Sequence, residues 1–174
     1  MIGTLFKRRS IRSYTGENIT EEELNIILKA CDASPVGMKQ YETLHLTVIS
    51  NKELLKNINE STQKMFNNPN VNPLYGAPTL IVISSKEFPE HMKNVMYSNA
   101  AIMSHNIALA ATSLNIGSCY IWGAIAAISK NEEVIKLLKL PEGFIPCCAV
   151  ILGKTNEEYV EKDITEKISK NFIK

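Results

Sequence analysis

The stretch from Asn99 to Ile116 constrains this chain more than any other. Ala100, Ala101, Ile102, Ile107, Ala108, Leu109, Ala110, Ala111 and Leu114 make it apolar almost all round at helical length, and Gly117 is placed to end it as a carboxyl-terminal cap. A helix without a polar face cannot lie on a surface. It is expected at the centre of a domain or in a subunit interface, so the remainder of the chain must cover it. The 174 residues, 45% hydrophobic and 21% charged, suffice to do this as one globular domain spanning 1–174. No repeat, low-complexity tract or Gly/Ser linker divides them.

The flanking segments read as elements that could provide that cover. Thr20-Glu21-Glu22-Glu23 is a capping box, and Leu24, Ile27, Leu28 and Cys31 follow it at helical spacing up to Ser34-Pro35. Leu44 to Ser50 reads as a strand, Lys52 to Phe66 as a helix, and Thr79 to Ile83 as a β-branched strand buried on both faces. Asn67 to Pro73, with two prolines and repeated asparagine, is a loop, and Tyr75 beside it is a candidate for the edge of a pocket. After the apolar helix come a strand at Cys119 to Trp122, a helix from Ser129 with Glu132 completing a second capping box, and a strand at Pro146 to Leu152. This alternation predicts an α/β or α+β fold.

A net charge of +1 excludes recognition of nucleic acid or anionic membrane by bulk field. The amino terminus sets its basic residues after a very short apolar stretch, the reverse of a secretory signal, so a cytoplasmic location is expected. Cys31, Cys119, Cys147 and Cys148 lack Cys-x-x-Cys spacing and read as buried thiols, with no metal site. His45, His91 and His105 are scattered, and His45 and His105 read as hydrogen-bonded structural residues. No hydrolase, metalloprotease or P-loop motif is present.

Every arginine lies in Arg8-Arg9-Ser10-Ile11-Arg12, while the other sixteen basic residues are lysine. Three planar, multi-donor side chains in one place suit a phosphate or a carbonyl-rich ring. The same segment also fits a solvated basic turn. Three arginines give too small a footprint for a nucleic-acid binder.

The chain resembles the nitroreductase family of flavoproteins over most of its length. The resemblance rests on six pieces in the family's order: Arg8-Arg9-Ser10-Ile11-Arg12-Ser13-Tyr14; the loop Ala33-Ser34-Pro35-Val36-Gly37-Met38 with the strand after it; Gly76-Ala77-Pro78-Thr79-Leu80-Ile81-Val82; the helix Asn99 to Gly117 with its Gly-Ser exit; Leu140-Pro141-Glu142-Gly143-Phe144; and Ile151-Leu152-Gly153-Lys154. The chain departs from the family where Lys39-Gln40-Tyr41-Glu42-Thr43 replaces Asn-x-Gln-Pro-Trp.

The resemblance implies an α+β, three-layer fold with a mixed central sheet flanked by helices, and an extended carboxyl-terminal tail. It also implies flavin mononucleotide (FMN) as cofactor and NAD(P)H as electron donor, in ping-pong reduction of nitroaromatics, quinones or a related small acceptor. Enone reduction, dehalogenation and non-catalytic FMN storage are the alternatives. By the same resemblance Arg8, Arg9, Ser10 and Arg12 hold the phosphate and the polar edge of the ring, with Lys154 or Lys162 reaching the phosphate. A guanidinium at the ring's N1 and C2 carbonyl, assigned to Arg12, favours the reduced, anionic state. Tyr120, Ile121, Trp122 and Gly123 stand where a backbone N–H meets flavin N5. No side chain is catalytic in this scheme. Ser34, Pro35, Val36, Gly37 and Met38 come from a partner subunit, and residues 155–174 wrap that partner, which implies a homodimer with FMN at the interface.

Overall fold

The computed structural model describes residues 2–174. Its elements run α1 (Ile2–Lys7), α2 (Glu21–Asp32), β1 (Leu44–Ile49), α3 (Lys52–Phe66), β2 (Thr79–Lys86), α4 (Lys93–Ser113), β3 (Gly117–Tyr120), α5 (Trp122–Ile128), α6 (Glu132–Leu137) and β4 (Phe144–Gly153). The fold is α+β and three-layered, as the resemblance implies. The sheet, ordered β1-β2-β4-β3, is antiparallel at every pairing and not mixed. Two connections explain this. After β1 the chain crosses the sheet along α3 and returns through residues 67–78, so β2 enters antiparallel to β1. The crossover through α4 does make β2 and β3 co-directional, but β4 inserts between them and pairs antiparallel with both.

Side-chain alternation along β2 and β4 builds a core on each face of the sheet. Leu80, Val82, Ala149 and Ile151 point to α3, α5 and α6, where they meet Leu55, Ile58, Ile125, Ile128 and Val134. Ile81, Ile83, Val150 and Leu152 point the other way, to Ile27 and Cys31 of α2 and Met96, Ala100, Ile107 and Ala111 of α4. Burying one such isoleucine or leucine contributes roughly 1.5–3 kcal/mol, far more than any helix propensity, so packing holds α4 in place.

The central helix starts six residues before Asn99, at Lys93. Asn115, not Gly117, closes it: at φ 56° it takes the left-handed position, with Ile116 N–H donating to the Ala111 carbonyl (2.8 Å) and Asn115 N–H to that of Thr112 (3.2 Å). Gly117 already belongs to β3. One face of α4 packs on the sheet, while Tyr97, Ala101 and Ile102 on another are exposed. The strand expected to reach Trp122 stops at Tyr120, and Trp122 opens α5. Asn131, not Ser129, caps the next helix, its side chain accepting from Glu133 and Val134 N–H groups; Ser129 instead donates to the Ile125 carbonyl at the end of α5.

The capping box at Thr20 is present with both of its bonds. The four thiols are free; Cys31, Cys119 and Cys147 are buried, and Cys148 is only half-buried. Burial pushes the Cys31 and Cys147 thiols up to about 12. Among the described residues no helix is long and apolar enough to cross a membrane, and no cluster of three or more His, Cys, Asp or Glu is placed to hold a metal.

Candidate functional site

The arginine segment is fixed by what lies between its charges. Ile11 is fully buried, and its N–H donates to the Ser118 carbonyl of β3 (2.9 Å). Three residues on, the Tyr14 hydroxyl donates to the Ile11 carbonyl (2.8 Å). Burial raises the Tyr14 phenol well above its ordinary value, with Cys119, Tyr159 and Glu157 adding and Arg12 opposing, so it stays a neutral donor. Its ring fits because Gly117 and Gly153, partners across β3 and β4, present no side chain. A β-carbon at Gly117 would stand 2.9 Å from the Tyr14 ring, and one at Gly153 2.9 Å from that ring and 2.6 Å from Pro78 Cδ. With Ile11 sunk and Tyr14 wedged, Arg8, Arg9, Ser10 and Arg12 are displayed around a fixed point.

Among the described residues none of the three guanidiniums has a carboxylate within ion-pair distance. Arg8 lies over the Tyr120 ring (5.6 Å to the centroid) and Arg12 over the Tyr75 ring (5.8 Å). Arg9 donates to the Glu158 carbonyl (3.1 Å). Lys162 joins them, donating from Nζ to the Arg8 carbonyl (2.8 Å). Burial lowers its pKa, and the nearby charges of Arg8, Arg9 and Lys167 add to the shift. Lys154 does not join them. It pairs at 2.5 Å with Glu23, the capping-box carboxylate of α2.

Beside Arg8, Tyr120, Ile121 and Trp122 line a mainly apolar cavity of about 430 Å³, walled on the other side by Ala101, Ser104 and His105 of α4 and by Cys147 and Cys148. His105 Nδ1 and the Tyr120 hydroxyl share a 2.9 Å hydrogen bond. Burial, then Arg8, lowers the His105 pKa, so the ring is neutral near pH 7. Burial raises that of Tyr120, with Arg8 opposing. Trp122 is 75% exposed at the start of α5. Gly123 rests on Phe66 with ordinary clearance, a β-carbon there standing 3.4 Å away.

The loop Ser34 to Met38 is built against α4 instead. Asn106 donates from Nδ2 to Ser34 Oγ (2.9 Å), and Gly37 N–H donates to Asn99 Oδ1 (3.0 Å). These asparagines are two helical turns apart, hence on one face. Gly37 makes a close approach, since a β-carbon would meet Val95 Cγ1 at 3.0 Å and that side chain would have to give way. Pro35 is exposed, Val36 is buried, and Met38 and Lys39 both take left-handed φ (58° and 57°) where the family's Asn-x-Gln-Pro-Trp would begin. Among the described residues no hydrogen bond links this loop to Arg8–Arg12. Apart from Lys154, the expected site residues therefore form two groups: the arginine turn with Lys162 and Tyr120–Gly123, and the loop on α4.

The sequence profile of the nitroreductase family matches residues 5–154, a span that takes in both groups except Lys162. The chain belongs to the nitroreductase family. A Methanothermobacter thermautotrophicus protein described as a candidate NADH dehydrogenase/NAD(P)H nitroreductase is 30% identical over 163 residues, covering 90% of this chain and 78% of that protein. An FMN reductase [NAD(P)H] of Bacillus subtilis is 27% identical over 175 residues, covering 93% and 68%. Among solved structures, a Bacteroides fragilis nitroreductase with bound FMN superposes with a TM-score of 0.83 at 30% identity, covering 99% of this chain and 97% of that one.

In this nitroreductase-family chain the supporting residues were the ones missed by sequence reading. Asn99 and Asn106 were absorbed into an apolar helix, although polar residues seven apart inside such a run are a signal that they anchor something. The shared bond of His105 and Tyr120 had no local signal, being fifteen residues apart on different elements.

Proposed function

We propose that the protein binds FMN between two copies of the chain and catalyses NAD(P)H-driven, ping-pong reduction of a nitroaromatic, quinone or related small acceptor. The observation that carries this reading is the set of three guanidiniums without a carboxylate partner among the described residues, two of them over tyrosine rings, one of which, Tyr120 under Arg8, lines an apolar cavity. These residues fit FMN: an anionic phosphate and a carbonyl-rich ring edge would use their free donors, and a flat apolar ring suits the cavity. FMN, when bound, supplies the hydride chemistry.

The chain binds and orients. Arg8, Arg9, Ser10 and Lys162 are assigned to the phosphate, and Arg12 to the polar edge of the ring. Tyr120, Ile121 and Trp122 set the floor, and the Gly123 backbone approaches the ring. Lys154 is committed to Glu23 and is the weaker phosphate candidate. The partner's copy of Ser34, Pro35, Val36, Gly37 and Met38 completes the site, a reading supported by that loop's own anchorage on α4, with no hydrogen bond to the arginine turn among the described residues. The homodimer is supported by exposed apolar residues on α4 and along the tail, where Ile168, Phe172 and Ile173 are 78%, 82% and 98% exposed.

An absorption spectrum and initial-rate kinetics test this. The protein is expected to purify yellow with about one FMN per chain, to give parallel double-reciprocal lines, and, once reduced and freed of nicotinamide, to be reoxidised by a quinone alone. Colourless protein that cannot be reconstituted with FMN overturns the cofactor; intersecting lines overturn the shared site.

A further inference from the structure

We infer that Tyr75 is a positioning residue that sets the Arg12 guanidinium before the cofactor arrives, an inference that rests on the FMN reading of the site. Tyr75 holds a backbone conformation unfavourable to it, with φ at 50° and Gly76 following at 78°. A bulky aromatic residue in the left-handed region is uncommon, and such outliers gather where a site needs them. The segment is rigid nevertheless. Tyr75 N–H donates to the Asn72 carbonyl (3.2 Å) and Ala77 N–H to that of Leu74 (2.8 Å), while Leu74 and Ala77 are buried in the core.

Packing does not account for the ring. It is 40% exposed, and among the described residues its hydroxyl makes no hydrogen bond. What it faces is Arg12, whose own backbone is fixed through buried Ile11. An aromatic face is an apt partner here. A carboxylate would hold an arginine by consuming its N–H donors, which lie in the plane of the group; a ring beneath that plane holds the cation and leaves the donors free. Tyr120 stands in the same relation to Arg8. Two arginines, each over a tyrosine supplied by a distant segment, make a consistent device for presenting unspent donors. Binding then orders less side-chain freedom.

The test uses FMN titration of full-length Tyr75→Phe, Tyr75→Gly and Arg12→Ala variants, with thermal unfolding and NMR of the flavin-free proteins. Because the chain has only three arginines, the Arg12 Nε–H resonance is readily assigned. Expected are a wild-type-like dissociation constant for Tyr75→Phe and a weakening of about two- to fivefold for Tyr75→Gly, the scale of one exposed cation–π contact. The glycine variant should also keep or raise the thermal midpoint, since glycine suits φ near 50°. The ring-current shift of Arg12 should vanish in that variant, and in the Arg12→Ala background Tyr75→Gly should add nothing further. Wild-type FMN affinity in Tyr75→Gly, or an equal loss with and without Arg12, overturns the inference. Wild-type protein that takes up no FMN while showing the ring-current shift overturns instead the reading on which it rests, and the inference with it.

Discussion

The segments Arg8–Tyr14 and 163–174 are both polar stretches punctuated by isolated apolar side chains, yet only the first is fixed by its own chain. Ile11 fills a place at the end of the sheet, and Tyr14 fills the gap left by two facing glycines. Ile164, Ile168, Phe172 and Ile173 fill nothing: the tail is tied down as far as Lys162, whose N–H donates to the Phe6 carbonyl (3.2 Å), and beyond it these side chains stand in solvent. A lone apolar residue can hold a polar segment when small residues elsewhere have made room for it. Where they have not, as along 164–173, the apolar side chains stay exposed within one chain.

Removing residues 155–174 puts the greatest strain on this contrast. If the tail needs a second chain and the second chain completes the flavin site, truncation should abolish dimerisation and flavin retention together, read by size-exclusion chromatography at protein and flavin wavelengths. A truncated dimer that stays yellow would erase the distinction. Next in size is Arg8→Ala, expected to weaken FMN binding by about 1.5–3 kcal/mol without altering the dimer, since a charge-assisted hydrogen bond is lost from a turn that stays in place. Equal FMN affinity in titration would move the phosphate site elsewhere.

Gly153→Ala probes the other half of the comparison. Its new methyl group would stand 2.6 Å from Pro78 Cδ and 2.9 Å from the Tyr14 ring. Urea unfolding should show a loss of about 1–3 kcal/mol, with flavin affinity falling as the turn shifts; an unchanged midpoint would mean that the wedge is not what fixes the arginines. The smallest effect belongs to Glu23. Its pKa is lowered from 4.5 chiefly by the hydrogen bond from Lys154, then by the Thr20 backbone N–H. The stability it contributes is therefore fully present above the unfolded value and is lost as pH falls through the lower folded one. Glu23→Gln should cost under about 1 kcal/mol at pH 7 and nothing once wild-type Glu23 is protonated, measured by urea unfolding across that range.

The local features of the fold were legible because their causes are local. The Thr20 capping box, the span of α3 and the two-faced burial of β2 follow from residues within one turn or one strand of each other. The sheet's antiparallel order was not legible, because it depends on β4 entering between strands already joined by α4. In the site, the arginine cluster could be read from composition alone. The fate of Lys154 could not, since Glu23 lies 131 residues away; the spacing of Asn99 and Asn106 signals that they anchor something, but not what, since their partners are on a separate loop. Charges announce themselves in a sequence, whereas the groups that neutralise or aim them do not.

The pairing of Gly117 with Gly153 also bears on the timing of synthesis. The arginines precede every strand in the sequence, but the slot that receives Tyr14 has one wall on β3 and the other on the last residue of β4. A nascent chain must therefore carry its guanidiniums unplaced until β4 has been made. A ligand held by these guanidiniums would then be captured after the sheet has closed, and would not template its assembly.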